Sequence, residues 1–179
     1  HSMAMYNEIF KHDMLNFESI IMKFKDIKFT DRKFIRPVED LKLFNGQIVH
    51  SDNLNQWKDY VVSYANGADV TITDNTEVLI APVQLIKEEY RFFIINKNIV
   101  TGCQYNINGN NIYNSNVPKH IELEAQKWAN IYTPSVAVVM DVAITDKNEL
   151  KIIEFNNFNS AGLYACDVEK IILGIESLF

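Results

Sequence analysis

A predicted β-hairpin near the end of the chain constrains the fold most, because its two apolar strands carry acidic residues. Residues 136–145 and 149–155 are rich in β-branched and other apolar side chains, and a polar turn at Lys147 lies between them. Asp141 lies within the first predicted strand and Glu154 within the second. Strands this apolar are expected to be covered on at least one face, so carboxylates embedded in them need partners.

The hairpin pattern predicts that these two carboxylates face each other. A symmetric turn places Asp141 opposite Glu154, where Cβ atoms are ~5 Å apart and like charges are destabilising unless something compensates them. Asn156 follows Glu154 by two residues and therefore shares its strand face. Two carboxylates and an amide suit Mg²⁺, which takes its other ligands from phosphates and water. Two alternatives remain open: a solvated sheet face that binds no metal, and a register shifted by one residue, which would turn Glu154 away from Asp141.

The rest of the chain mixes helical and strand patterns, which predicts an α+β fold with helices against a mainly antiparallel sheet. Two helices have clear apolar spacing, one that begins after Ser51 and one that begins at Pro118. The other predicted elements are a loosely helical segment over 6–28, strands over 33–37, 78–83, 90–95 and 99–105, a mobile loop over 106–116 and a final helix from Asp167.

Composition narrows the classes of partner. The 179-residue chain is 47% hydrophobic with a net charge of -6, so it lacks the basic excess that nonspecific binding to nucleic acid requires. No apolar run approaches the ~20 residues of a membrane helix. Cys103 and Cys166 form no CxxC motif and are expected to be packed small side chains. We therefore expect no nucleic acid and no membrane as partner, and a reducing, cytoplasmic setting; residues 1–3 resemble a cloning remnant.

The hairpin motif resembles the metal motif that closes the ATP-grasp domain. Met140-Asp141-Val142 is followed by Ile153-Glu154-Phe155-Asn156, with Asn159-Ser160-Ala161-Gly162 shortly after. In ATP-grasp ligases the corresponding aspartate, glutamate and asparagine coordinate the magnesium ions that bridge the phosphates of ATP. The resemblance assigns these metal roles to Asp141, Glu154 and Asn156.

Upstream residues resemble the nucleotide-binding part of the same superfamily. The segment 78–84 is similar to the hinge whose backbone pairs with adenine, which assigns Val83 and Gln84 to that role. In the next strand the resemblance places Glu89 at the ribose and Arg91 at the phosphates or the acyl group. A surface ion pair on one strand is the alternative interpretation for Glu89 and Arg91.

Arg36 stands before Pro37, where these enzymes usually have a phosphate-binding lysine. With Lys42 and the string Glu89-Tyr90-Arg91, this substitution resembles a divergent ATP-grasp clade related to a eukaryotic translation-factor assembly protein. Arg36 and Lys42 are thereby assigned to the phosphates, and ordinary surface charge is the alternative. The resemblance implies an ATP-grasp fold with an N-terminal helical segment over 1–30, a small lobe over 31–76 and a C-terminal lobe with the metal site over 77–179.

The activity implied is that of a ligase. ATP with Mg²⁺ would phosphorylate a substrate carboxylate, and an amine would then displace phosphate from the acyl phosphate, with Arg36 and Arg91 as the catalytic cations. The carboxylate and the amine are unknown, and a peptide or protein is the expected substrate. Two departures favour the alternative of an assembly factor that binds ATP and clamps a partner protein without ligation: Val139 replaces a basic residue, and the Gly-rich lid is reduced to Asn45-Gly46.

Overall fold

The computed structural model describes residues 3–38, 43–67 and 71–179. The chain divides into a small unit, mainly Asn16–Val83, and a large unit, mainly Gln84–Phe179 with Met5–Leu15. Within the described ranges, no helix is both long enough and apolar enough to cross a membrane. The helices and strands are α1 (Met3–Phe10), β1 (Ile20–Lys23), β2 (Arg32–Pro37), β3 (Gln47–His50), α2 (Leu54–Gly67), β4 (Glu77–Pro82), β5 (Ile86–Ile95), β6 (Asn98–Ile107), β7 (Asn110–Asn114), α3 (Lys119–Ile131), β8 (Ala137–Thr145), β9 (Leu150–Asn157) and α4 (Val168–Glu176).

The small unit is a four-stranded antiparallel sheet, in the order β1-β4-β2-β3, together with α2. The helix predicted after Ser51 is confirmed, and Trp57 and Val61 lie one turn apart on its buried face. The Trp57 ring packs edge-on against Phe44, with centroids 5.4 Å apart, and at 5.9 Å from Phe24. These aromatic side chains form the centre of the small unit's core.

The helical segment predicted for residues 6–28 is wrong over most of its length. Helix α1 ends at Phe10, and Ile20–Lys23 forms the edge strand β1, which pairs with β4. The apolar residues 20–22 satisfy a loose helical count, but β-branched side chains also fit a strand, and pairing with β4 decides between them.

The large unit is a five-stranded antiparallel sheet in the order β7-β6-β5-β8-β9. On one face, Phe155 packs against the rings of Tyr6 and Phe10 from α1, at 5.0 and 5.7 Å between centroids. On the other face, Ile171 of α4 joins the buried cluster that contains Phe93. The central strands β5 and β8 are therefore buried on both faces along much of their length, and polar side chains there require internal partners.

The loop predicted over residues 106–116 is also wrong, because this segment contains β7. Asn108 and Gly109 both adopt positive φ, 50° and 81°, and connect β6 to β7 in a two-residue turn. This turn geometry favours the Asn-Gly sequence and matches the twist of the paired strands. The asparagine-rich composition concealed an edge strand.

The hairpin of β8 and β9 is confirmed, and a β-bulge sets its register. Next to the turn, Val142 pairs with Ile152, whereas one step further Asp141 pairs with Glu154. Ile153 is the extra residue that shifts the register by one at this point. Because of this bulge, the two carboxylates occupy directly opposed positions.

Gly102 provides a test of the packing in the large unit. It lies opposite Phe92 on the neighbouring strand, and a Cβ atom at Gly102 would lie 2.6 Å from Cδ1 of the fully buried Phe92 ring. We expect Gly102→Val to lower the free energy of unfolding by ~1–3 kcal/mol in urea denaturation, because the ring has no space to move into. The same valine at the exposed edge-strand position Asn111 is the matched control and should change stability by less than about 0.5 kcal/mol. Equal effects at both positions would contradict the packing argument.

Candidate functional site

A buried ion pair lies at the centre of the large unit's sheet. Arg91 on β5 and Asp141 on β8 are directly paired in the register, and they are 8% and 2% exposed. Nε of Arg91 donates to Oδ1 of Asp141 at 2.8 Å, and the terminal nitrogen NH2 donates to Oδ2 at 2.7 Å. This two-pronged arrangement is the strong form of an arginine–carboxylate contact. The other terminal nitrogen, NH1, donates to the carbonyl of Gly162 at 2.9 Å.

The remaining predicted metal ligands gather around the same carboxylate. Nδ2 of Asn156 donates to Oδ2 of Asp141 at 2.9 Å. Glu154 lies opposite Asp141 across the β8–β9 ladder, as the hairpin pattern predicted. The structure thus brings together Arg91, Asp141, Glu154 and Asn156, three of which come from the hairpin.

An aromatic layer covers the guanidinium of Arg91. Its Cζ lies 5.4 Å from the ring centroid of Tyr105 and 4.8 Å from that of Tyr164, and the two rings stack at 4.9 Å. The Tyr105 hydroxyl donates to Glu89 at 2.8 Å. Contacts of this kind between a guanidinium and aromatic faces are favourable, more so when water is excluded.

Tyr164 and Gly162 were missed by sequence reasoning. Both lie in the irregular segment between β9 and α4, where no periodicity indicates which side chains point inward. Tyr164 adopts a φ of 48°, a left-handed conformation that is uncommon for a bulky residue. Such backbone conformations cluster at functional sites, where surrounding contacts hold them in place.

Burial and charge act in opposite directions on Asp141. Burial raises the pKa of Asp141 to about 6, Arg91 limits that rise through its hydrogen bonds and positive charge, and the charges of Glu154 and Glu89 add to it. Burial would lower the pKa of Arg91, but hydrogen bonding and attraction to Asp141 raise it above its ordinary value. Both groups are therefore charged at neutral pH, and the negative field of the two glutamates extends to Asp141.

The donor set fits a magnesium ion. Asp141, Glu154 and Asn156 offer carboxylate and amide oxygens, the ligand type that Mg²⁺ prefers, and the field of Glu89 and Glu154 favours a cation beside Asp141. Over the described ranges, no group of three or more His, Cys, Asp or Glu side chains is arranged to hold a metal. This is consistent with a site that has two carboxylates and depends on phosphates and water for further ligands.

The other predicted binding residues lie elsewhere in the sequence. Arg36 is part of β2 in the small unit, paired with Leu79 of β4. Val83 is the last residue of the small unit and Gln84 opens the long final segment of the large unit, so the predicted adenine hinge coincides with the unit boundary. Lys42 lies outside the described residues.

The two cysteines are packed side chains, as expected, and they contact each other. Cys103 on β6 pairs with Arg91, and Sγ of Cys166 lies 3.2 Å from Sγ of Cys103. The hydrogen bond from Cys166 lowers the pKa of Cys103 to about 7. Val139, two residues before Asp141, is fully buried in the same apolar cluster.

Comparison with known proteins agrees with this arrangement. A family of ATP-grasp domains, described as the second family of its clade, matches residues 18–172. The chain therefore belongs to this ATP-grasp family, and its α+β fold with antiparallel sheets flanked by helices is the ATP-grasp fold. None of the curated proteins matches it.

Solved structures share the fold at low sequence identity. D-alanine–D-alanine ligase from Bacillus anthracis aligns with a TM-score of 0.65 and 14% identity, over 98% of this chain and 66% of that one. The Helicobacter pylori enzyme of the same name gives a TM-score of 0.61 and 15% identity, over 97% and 56%. The ATP-grasp ligase PsnB, complexed with precursor peptide PsnA2 and AMPPNP, gives 0.52 and 10%, over 82% and 44%. The chain thus spans about two thirds or less of the length of these ligases.

Removing one partner of the buried ion pair should be far more costly than removing both. We expect Arg91→Met and Asp141→Leu each to lower the free energy of unfolding by ~3–5 kcal/mol, because each leaves a buried charge without its partner. The double variant should lose much less than the sum, since two apolar side chains replace the pair. Urea denaturation of all four proteins at about pH 8 measures the coupling. Arg32→Met, at an exposed arginine, is the control, and additive losses would show that the pair is not coupled.

Proposed function

We propose that this ATP-grasp domain is a cytoplasmic, Mg-ATP-dependent carboxylate–amine ligase that acts through an acyl phosphate. The observation that carries the proposal is the placement of Asp141, opposed by Glu154 and hydrogen-bonded by Asn156, beside the guanidinium of Arg91. Negative oxygens that attract a divalent cation thus lie next to a positive group suited to phosphate. Transfer of a phosphoryl group depends mainly on such positioning and electrostatic stabilisation.

Each residue has a distinct role in the proposed reaction. Asp141, Glu154 and Asn156 hold magnesium, which when bound neutralises the negative charge of the phosphates. Arg91 and Arg36 bind phosphate oxygens, with Lys42 as a further cation. Glu89 accepts hydrogen bonds from the ribose, and the backbone of Val83 and Gln84 binds the adenine. No side-chain nucleophile is needed, because the substrate carboxylate itself attacks the terminal phosphorus.

A peptide or protein is the proposed substrate. PsnB, which has the same fold, was solved with a precursor peptide and AMPPNP. Since the two chains are 10% identical, this likeness supports a substrate class for a first screen and does not identify a sequence motif.

Burial of Val139 favours a second candidate function. A basic residue at this position would have to be accommodated in an apolar cluster from which water is excluded, and the valine supplies no charge for an acyl phosphate. A domain without that charge can still bind ATP and use it to clamp a partner protein. This alternative is an assembly factor that does not ligate.

Nucleotide titration of the Glu154→Gln variant tests the metal assignment. By calorimetry, the parent protein should bind ATP more tightly with Mg²⁺ than without it, and Glu154→Gln should lose most of that difference, because an amide replaces one anionic ligand. The matched control is Glu149→Gln, the same change at an exposed residue beside the hairpin turn. Magnesium-independent binding by the parent would rule out the proposed metal site.

Turnover distinguishes the ligase from the assembly factor. ADP release should rise when a panel of peptides and free amino acids is added to the parent protein with Mg-ATP. Tight binding of Mg-ATP without any stimulated release of ADP would support the clamp instead.

A further inference from the structure

Arg91 connects the metal-binding and phosphate-binding parts of the proposed site. Of the residues proposed to bind phosphate, it is the one whose hydrogen bonds to a proposed metal ligand the described part of the structure shows. A guanidinium fork matches a carboxylate and a phosphate equally well in shape. The same side chain is therefore suited to two competing anionic partners, Asp141 and the nucleotide.

The ion pair leaves little capacity on Asp141 for another ligand. Oδ2 accepts from both Arg91 and Asn156, and Oδ1 accepts from Arg91, so three of about four acceptor positions are used. The carboxylate is 2% exposed, and a cation that binds it would lie within a few ångströms of the guanidinium charge. Repulsion at that separation is strong in a partly buried site.

Arg91 also has contacts that hold it when Asp141 is given up. NH1 donates to the uncharged Gly162 carbonyl, and the rings of Tyr105 and Tyr164 lie against the guanidinium. These contacts restrict the guanidinium without neutralising it. A polyphosphate can replace the carboxylate as its anionic partner while the aromatic layer keeps it in position.

We propose that Arg91 is an internal counter-ion of Asp141, which opposes divalent-cation binding until nucleotide phosphates draw the guanidinium away. This inference rests on the proposed ATP-dependent function. Metal and nucleotide then bind cooperatively, and by thermodynamic linkage each strengthens the binding of the other by the same factor. Arg91 acts here as a positioning residue whose charge couples the two ligands, in addition to its contact with phosphate.

Manganese binding without nucleotide tests this coupling directly. The fraction of free Mn²⁺ is measured by electron paramagnetic resonance at about pH 8, for the parent and for Arg91→Gln, with and without a non-hydrolysable ATP analogue. Without the analogue, Arg91→Gln should bind Mn²⁺ about 5- to 150-fold more tightly than the parent, the usual range for coupled sites. The analogue should strengthen Mn²⁺ binding more in the parent than in the variant, because the parent alone has the guanidinium to displace.

Three controls make each outcome decisive. Arg32→Gln removes the same charge from an exposed position and should leave nucleotide-free Mn²⁺ affinity unchanged. Adenosine, which has no phosphates, should not strengthen Mn²⁺ binding to the parent. Arg91→Lys keeps the charge but loses the fork, so it should bind nucleotide-free Mn²⁺ more tightly than the parent; it replaces Arg91→Gln if thermal unfolding shows that the latter does not fold.

Failure of this inference differs from failure of the proposed function. If both Arg91 variants bind nucleotide-free Mn²⁺ no more tightly than the parent, while Glu154→Gln abolishes binding with the analogue present, the metal site stands and the counter-ion role is overturned. If the parent binds no Mn²⁺ even with the analogue, the proposed function fails and this inference fails with it.

Discussion

The buried pair of Arg91 and Asp141 is the interaction on which the rest of the large unit depends. It joins the two central strands, β5 and β8, at a point where neither face of the sheet is open enough for an isolated charge. The irregular segment after β9 is held over it by the Gly162 carbonyl and the Tyr164 ring. An apolar pair would stabilise such a sheet equally well, so the charges indicate selection for a ligand.

The arrangement of charge explains why one site can serve both metal and phosphate. Carboxylates at Glu89, Asp141 and Glu154 surround the guanidinium on one face of the sheet, which produces opposite potentials a few ångströms apart. Binding of Mg-ATP requires this combination, since the metal needs anionic oxygens and the phosphates need cations. The buried Val139 is where the site departs from a complete ligase, and the choice between ligation and clamping depends on which group stabilises the acyl phosphate.

Much of the fold could be predicted locally. Helix α2, the strand that ends at Pro37 and the hairpin of β8 and β9 follow from apolar spacing, proline geometry and turn residues. The two wrong predictions lie where local patterns are ambiguous. Strand β1 is paired with β4, more than 50 positions away in the sequence, and β7 is an edge strand without an apolar pattern.

By itself, the sequence determined which chemical groups the site contains and which strands carry them, because side-chain alternation and turn preference are properties of neighbouring residues. Tertiary structure alone decided how those groups meet. The bulge at Ile153 shifts the register so that Glu154 lies opposite Asp141, and pairing of β5 with β8 gives Asp141 the partner Arg91. Tyr164 reaches the guanidinium through a positive φ that no sequence pattern indicates. Register and non-local pairing depend on the energy of the whole sheet, so they cannot be read from any single segment.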